Sequence, residues 1–434
     1  MSGTADPAAQ IPEASPAVRA RRLVVAGDHA AASNLISGMI SGITERTVVR
    51  VDIGNDEYSL NSVNGRAYFA DGGAVFFKFH VEEGEEDRIG EYYRAKVLLD
   101  AGLPVDVPLA ISTDPGQQIV LYEIRDVPRM SDVCLDIEKR SGQNATLPPA
   151  MREARQVLDT AIGEVLTRTV HVSDDPLAQP AALHQLFTNR MTNTFGGYPG
   201  GRLADWYVES DRWAALAAAS WTLNGVPYRK NLQELIDEAW LLLDPSRFVS
   251  TPLVVAHGDD HHGNVWVIET ATSTELRLFD PAFAGDDIPV LLALVKSTFH
   301  NVFAHPFWLY HPQLIADDDV EVDYVGDRIV VQDGFAGLSP LRQCVLDSIV
   351  ERSWIPLLLE LRNRDLLDPQ WRSVIRAGLF LCPLLVTNLL GQSRSPALQH
   401  VGLARAVMMG SEPAKGHDAV SEMLAKMQAA VDGV

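Results

Sequence analysis

Cysteine is scarce in this chain. The three present among 434 residues, Cys134, Cys344 and Cys382, are too few and too scattered for a disulfide framework or a zinc motif. A buried apolar role is the default for each, and such usage fits a cytoplasmic protein. Positive charge is short as well. Against 57 Asp and Glu stand 36 Lys and Arg, a net charge of −21, and this argues against nucleic acid as a partner, since that needs a basic surface. The acidic surface suits a cationic substrate and equally serves as an ordinary solubilising surface. Long apolar runs are missing too: residues 377–390 are broken by Cys382-Pro383 and fall short of the roughly 20 residues a membrane span needs. They read as a buried helix pair, with no membrane partner. Residues 1–20, rich in Ala, Pro and Ser, read as a disordered tail without the apolar core of a signal peptide. No internal repeat is present. The remainder, 47% hydrophobic and 21% charged overall, suffices for a sizeable core.

What the chain does contain is one dense polar motif. His257-Gly258-Asp259-Asp260-His261-His262-Gly263-Asn264 lies between the apolar runs Leu253-Val254-Val255-Ala256 and Val265-Trp266-Val267-Ile268, which reads as strand, tight loop, strand. A second carboxylate, Asp280, follows the β-like run Glu275-Leu276-Arg277-Leu278-Phe279. Moving a phosphoryl group needs positioning and charge neutralisation more than covalent chemistry, and Mg²⁺ prefers a few oxygen ligands. A carboxylate near the accepting hydroxyl, with an amide and a second carboxylate on the metal, meets that need. His257 and His261 stand four apart, a zinc-like spacing, but Gly258 and Gly263 argue against the helix that would put both rings on one face.

The motif resembles the catalytic loop of the aminoglycoside phosphotransferase family, written HGDxHxGN, with a metal-binding Asp on the strand pair that follows. The resemblance implies that Asp259 is the catalytic carboxylate and that Asn264 and Asp280 hold Mg²⁺. It also implies an α+β, bilobal protein-kinase-like fold, with a small antiparallel-sheet lobe at about 21–123 and a large, mostly helical lobe at 124–434. In eukaryotic-type protein kinases an Arg precedes the catalytic Asp and often reads a phosphate on the activation loop. Gly258 stands there instead, which argues against that form of control.

Upstream, Val48–Ile53, residues 58–60, 67–70 and 74–80 have strand character, with turns at Gly54-Asn55-Asp56 and Asp71-Gly72-Gly73. The polar stretch 62–66 falls where family members fold a loop over the nucleotide phosphates. Ser62, Asn64 and the backbone amides near Gly65 are its expected phosphate contacts. Lys78 sits inside an otherwise apolar strand, which is costly without a partner. The resemblance implies that it contacts the α/β-phosphates and pairs with a glutamate on the next helix, 85–101, for which Glu91 is the expected residue. Snorkelling of Lys78 at a strand end is the alternative, and Glu82, Glu83, Glu85, Glu86 and Asp87 compete with Glu91. Helix 85–101 stops at Gly102-Leu103-Pro104, and strands at 105–110 and 118–124 follow. Tyr122, Glu123 and Ile124 then fall where such enzymes bind adenine through backbone groups, which leaves GTP open beside ATP.

Farther on, Leu232, Leu235, Ile236, Ala239, Trp240 and Leu243 form one apolar helix face, 320–331 reads as a hairpin about Gly326-Asp327, and helices resume at 341–361, 371–390 and 420–431. Two segments, 188–197 and 297–308, mix aromatic and polar residues and are candidates for an acceptor pocket. After Asp280, Pro281-Ala282 resembles the fructosamine-kinase-like branch, but Asp286-Asp287-Ile288-Pro289 departs from the usual second Asp before Leu-Ala. The expected activity is ATP- and Mg²⁺-dependent phosphorylation of a hydroxyl on a small molecule, most suggestively an aminoglycoside or another sugar- or nucleoside-like metabolite. The alternatives are an amino alcohol or sugar-modified amine as acceptor, or a non-catalytic nucleotide-binding protein on the same fold. No long activation segment follows Asp280, which disfavours a protein substrate.

Overall fold

The structure, a computed structural model, describes residues 16–54, 62–80, 90–112, 119–173, 181–315, 319–335 and 337–433. It divides into two compact units, one of Met1–Tyr93 with Asp106–Asp126 and one of Arg94–Val105 with Val127–Val434.

Among the described residues, the first unit holds a five-stranded antiparallel sheet and two helices before it. Its strands are β1 Val48–Ile53, β2 Ser62–Phe69, β3 Ala74–His80, β4 Ala110–Ile111 and β5 Ile119–Tyr122, in the order β1-β2-β3-β5-β4. The helices Pro16–Val25 and His29–Thr44 bury Ala17, Ala20, Ile36 and Ile40 in one apolar cluster with Val63, Phe69, Phe77 and Leu121 of the sheet. A disordered tail to residue 20 is therefore corrected: a helix starts at Pro16, a residue suited to a first helical position, and its small alanines face the core. Stretch 62–66 is corrected as well. It is a strand and no loop, because β2 pairs with β1 on one side and β3 on the other. Its turn-like Asn and Gly residues are absorbed by a strand that buries Val63, Ala67 and Phe69 and exposes Arg66. Strand 105–110 shrinks to Ala110–Ile111, since Pro104 and Pro108 lack the N–H a ladder needs. The strand expected at 58–60 and the first residues of the helix expected at 85–101 lie outside the described residues. The helix is described as Gly90–Asp100.

The second unit is mainly helical and holds β6 His171–Val172, β7 Ser220–Leu223, β8 Val226–Pro227, β9 Pro252–Ala256, β10 Val265–Glu269, β11 Thr274–Leu278, β12 Gly285–Pro289, β13 Val320–Val325 and β14 Arg328–Asp333. β9 lies between β12 and β6, while β10 and β11 form a separate hairpin. The helix Leu232–Leu242 carries the expected apolar face behind a full capping box of Asn231 and Glu234. The hairpin β13–β14 extends by parallel pairing of β14 with β7, giving the order β13-β14-β7-β8. One helix, Trp371–Val386, runs through Pro383 in place of the helix pair expected at 377–390. Proline removes one backbone hydrogen bond there, but residues 374–385 are all buried, which offsets the loss. A further helix, Pro396–Gly410, is almost wholly buried.

Candidate active site in the helical unit

The loop after β9 is fixed by its own backbone and by the turn after β11. Gly258 has φ +77°, and a Cβ there would meet the Phe283 carbonyl oxygen at 2.7 Å, so only glycine fits. His257 is buried, donates from Nε2 to the Phe279 carbonyl at 3.0 Å, and accepts the Asp259 N–H on Nδ1 at 3.4 Å. Asn264 donates its side-chain N–H to the Asp259 carbonyl at 2.9 Å, which turns the amide oxygen away from that bond. The Asn264 carbonyl accepts the Phe279 N–H at 3.0 Å, next to the register pair Val265 and Leu278. Asn264 and Asp280 thus sit at the same end of one hairpin. Asp280 has φ +58°, a conformation that costs a non-glycine residue roughly 1–3 kcal/mol and so marks an over-determined position.

Asp259 Oδ1 is buried and accepts no hydrogen bond among the described residues. Its nearest ion-pair contact is Lys296 Nζ at 3.8 Å, while His261 Nε2 stands 3.8 Å from Oδ2. Lys296 is only 4% exposed. It donates to His300 Nε2 at 2.9 Å, which leaves the ring proton on Nδ1 for the Tyr310 hydroxyl at 2.8 Å. Burial pulls the Lys296 ammonium below its ordinary range, opposed by the Asp259 charge. Burial, with Lys296 second, holds His300 well below the ordinary histidine value, so this ring is neutral. Burial lowers His261 and His262 in the same way and raises the Asp260 carboxyl. His262 donates its backbone N–H to Asn301 Oδ1 at 2.7 Å, so the segment holding His300 and Asn301 braces the loop. That segment is a widened π turn, Phe299–Phe303, a distortion found often at functional sites.

Lys296 was not among the residues expected from sequence. A lysine closing the apolar run 290–295 is the signal that points to it. Asp286 and Asp287 fall in β12, which pairs directly with β9, so the departure from the Asp-Leu-Ala pattern builds a strand beside the loop.

The remaining expected residues belong to the sheet unit. Lys78 of β3 is 8% exposed and pairs in register with Asn64 of β2. Asn64 holds its amide oxygen where a Cβ on Gly54 would be 2.6 Å away. Gly65 is required by packing, since a Cβ there would lie 2.2 Å from the Asp52 carbonyl and 2.8 Å from the Phe77 ring. Tyr122 ends β5 and is buried, Glu123 is exposed and 3.4 Å from Arg125, and Ile124 is half-buried. The side chains of Ser62 and Glu91 lie outside the described residues, and with them the pairing of Lys78 with Glu91 or its competitors.

Asn264 and Asp280 fit Mg²⁺ as a donor set: an amide whose N–H is already engaged and a carboxylate, both hard oxygen donors on one hairpin end. No group of three His, Cys, Asp or Glu positioned to hold a metal occurs among the described residues. Metals of this kind take the rest of their shell from water and substrate phosphates.

No protein-family model and no curated protein matches the chain. Among solved structures it is similar to the microcompartment-associated aminopropanol kinase, at 12% identity over 91% of this chain and 98% of that one, TM-score 0.43. It is also similar to a spectinomycin phosphotransferase in complex with ADP and spectinomycin, at 14% identity over 87% and 98%, TM-score 0.37. A chain from Thermobifida fusca YX-ER1 described as a fructosamine-3-kinase is 14% identical over 86% and 98%, TM-score 0.37. The fold of the described residues is α+β.

Proposed function

We propose that the protein transfers the γ-phosphoryl group of ATP to a hydroxyl of a small molecule, with Asp259 as the catalytic residue. The observation that supports this reading is Asp259 on its braced loop: its Oδ1 accepts no hydrogen bond among the described residues, as with Asp260 Oδ1 and His262 Nε2 of the same loop, but of these three side chains that of Asp259 stays partly exposed, at 13%. An acceptor hydroxyl donates to the Asp259 carboxylate. As the acceptor oxygen bonds to the γ-phosphorus, the bond from phosphorus to the bridging oxygen breaks, ADP leaves with the electron pair, and the hydroxyl proton passes late to Asp259. Asn264 and Asp280 would hold Mg²⁺, which would supply charge neutralisation on the phosphate oxygens. Lys78 contacts the α/β-phosphates, and the backbone at residues 122–124 takes the base, so GTP serves as an alternative donor to be tested. The acceptor is a sugar-like or nucleoside-like compound, with aminoglycosides and amino alcohols in the same test panel.

The test is nucleotide consumption with Mg²⁺ against aminoglycosides, nucleosides, sugars, sugar acids and amino alcohols. Acceptor-dependent ADP release is expected, reduced by about 10²-fold or more in Asp259→Asn. Undiminished transfer by that variant would refute the role of Asp259.

A further inference from the structure

The helical unit holds a cavity of about 340 Å³ that shares no residue with the candidate active site, and a volume of this size suits a small ligand. It is lined by the helices Leu232–Leu242 and Trp371–Val386 and by the end of Pro396–Gly410. Leu235, Ala377 and Phe380 are its apolar part. Four cations, Arg229, Lys230, Arg372 and Arg376, line it with two carboxylates, Glu238 and Glu412, which leaves a surplus of two positive charges in a chain that carries −21.

The four cations differ in what they hold. Arg376 is buried and fully engaged: Nε donates to Glu412 at 3.1 Å, Nη1 to the Met408, Met409 and Ser411 carbonyls at 3.3, 3.2 and 3.0 Å, and Nη2 to the Ser421 hydroxyl at 2.8 Å. Lys230 pairs with Glu238. Arg372 donates from Nη2 to Glu412 at 3.1 Å, and its Nε and Nη1 make no hydrogen bond among the described residues. Arg229 has no carboxylate partner among them at all. Its Nε donates to the Pro413 carbonyl at 3.2 Å, which leaves Nη1 and Nη2 to the cavity. The backbone beneath is pinned, because the N–H groups of Arg229 and Lys230 both donate to Ser411 Oγ, at 3.1 and 3.0 Å.

We propose that this cavity is a second ligand site, one that takes a phosphate group, free or esterified to a small molecule, with Arg229 and Arg372 as its donors. A phosphate brings about −1.5 to −2 charges near neutral pH and so matches the surplus, whereas a carboxylate meets only half of it. Guanidinium donors suit its oxygens, and walls fixed in advance keep the ordering cost of binding small. The inference stands apart from the phosphotransferase reading and does not depend on it.

The experiment measures Kd by calorimetry on the full chain, without nucleotide, for phenyl phosphate, inorganic phosphate, benzoate and phenol at about pH 8, where the phosphates are dianions. At least one phosphate is expected to bind about tenfold or more tighter than benzoate, a difference of about 1.4 kcal/mol, with phenol weaker still. Preference for the ester assigns the site to a phosphorylated small molecule, and preference for the free ion assigns it to phosphate itself. The double variant Arg229→Gln, Arg372→Gln is expected to lose about tenfold or more of the phosphate affinity, with thermal unfolding recorded. Should that variant not fold, Arg229→Gln alone carries the test, since its guanidinium gives up one carbonyl contact only, and a loss of about fivefold is expected. Lys78→Ala, in the sheet unit, is expected to leave the phosphate affinity unchanged, which separates this cavity from the nucleotide contact proposed above. Binding of neither phosphate, benzoate as tight as both, unchanged affinity in the folded arginine variants, or loss of affinity in Lys78→Ala overturns the proposal.

Discussion

The two units place their charges differently. In the sheet unit the ion pairs Arg46–Asp71, Arg50–Asp52 and Arg66–Asp126 have side chains 40–77% exposed, and Arg125–Asp106 is the more enclosed exception. In the helical unit Arg155–Asp159, Arg342–Glu138 and Arg405–Asp333 are no more than 10% exposed. Exposed pairs contribute little because water already solvates both charges, whereas a buried pair broken on one side leaves an uncompensated charge. One of the buried pairs also reaches the candidate site. Arg342 clasps Glu138 with both Nε and Nη2, at 2.6 and 2.8 Å, and donates to the Asn301 carbonyl at 2.9 Å, while the Asn301 side chain holds His262. The helical unit has exposed pairs too, among them Lys96–Asp100 and Lys426–Glu351, and what sets it apart is the buried pair Arg342–Glu138 that braces the candidate site.

Arg342→Met breaks the comparison hardest. Leaving Glu138 buried and unpaired is expected to destabilise the protein by about 3–5 kcal/mol, read from the urea midpoint. A loss under about 1 kcal/mol would put the pair in the same class as the exposed ones. Pairing that change with Glu138→Leu is expected to restore most of the stability, because apolar replacement of both partners removes the stranded charge. Acid titration sharpens the contrast. Burial holds His184 and His305 of the helical unit down to about 4, from an ordinary 6.5. Their folded values lie below the unfolded ones, so their contribution is complete above about pH 6.5 and is lost as pH falls toward 4. Tm is expected to drop across that window, and His184→Phe is expected to blunt the drop. The smallest effect belongs to the sheet unit: Arg66→Ala, which removes the exposed contact with Asp126, should alter stability by less than about 1 kcal/mol.

The parts legible from sequence were those whose cause is local. The flanks of the loop 257–264 alternate or run apolar over four or five residues, and the structure makes them β9 and β10. Lys78 stood out because it interrupts an apolar strand. The dipeptide Asn224-Gly225, with φ of +50° and +79°, turns β7 into β8, and its hairpin signal was available but short, with Pro227 weakening the second strand. At 62–66 the turn-forming residues pointed the wrong way, since pairing on both sides of β2 outweighs local preference. Lys296 is flagged by the six apolar residues before it, but the run has no period that would set the lysine on a face. Arg342 and Glu138 are 204 positions apart, and no local pattern joins them.

The closed space at Gly258 has one more consequence. With the Phe283 carbonyl where a side chain would begin, the loop has no position for the arginine through which regulated kinases sense a distant phosphate. A side chain that reports a distant phosphate therefore has no place at this point of the loop, where packing alone closes the space.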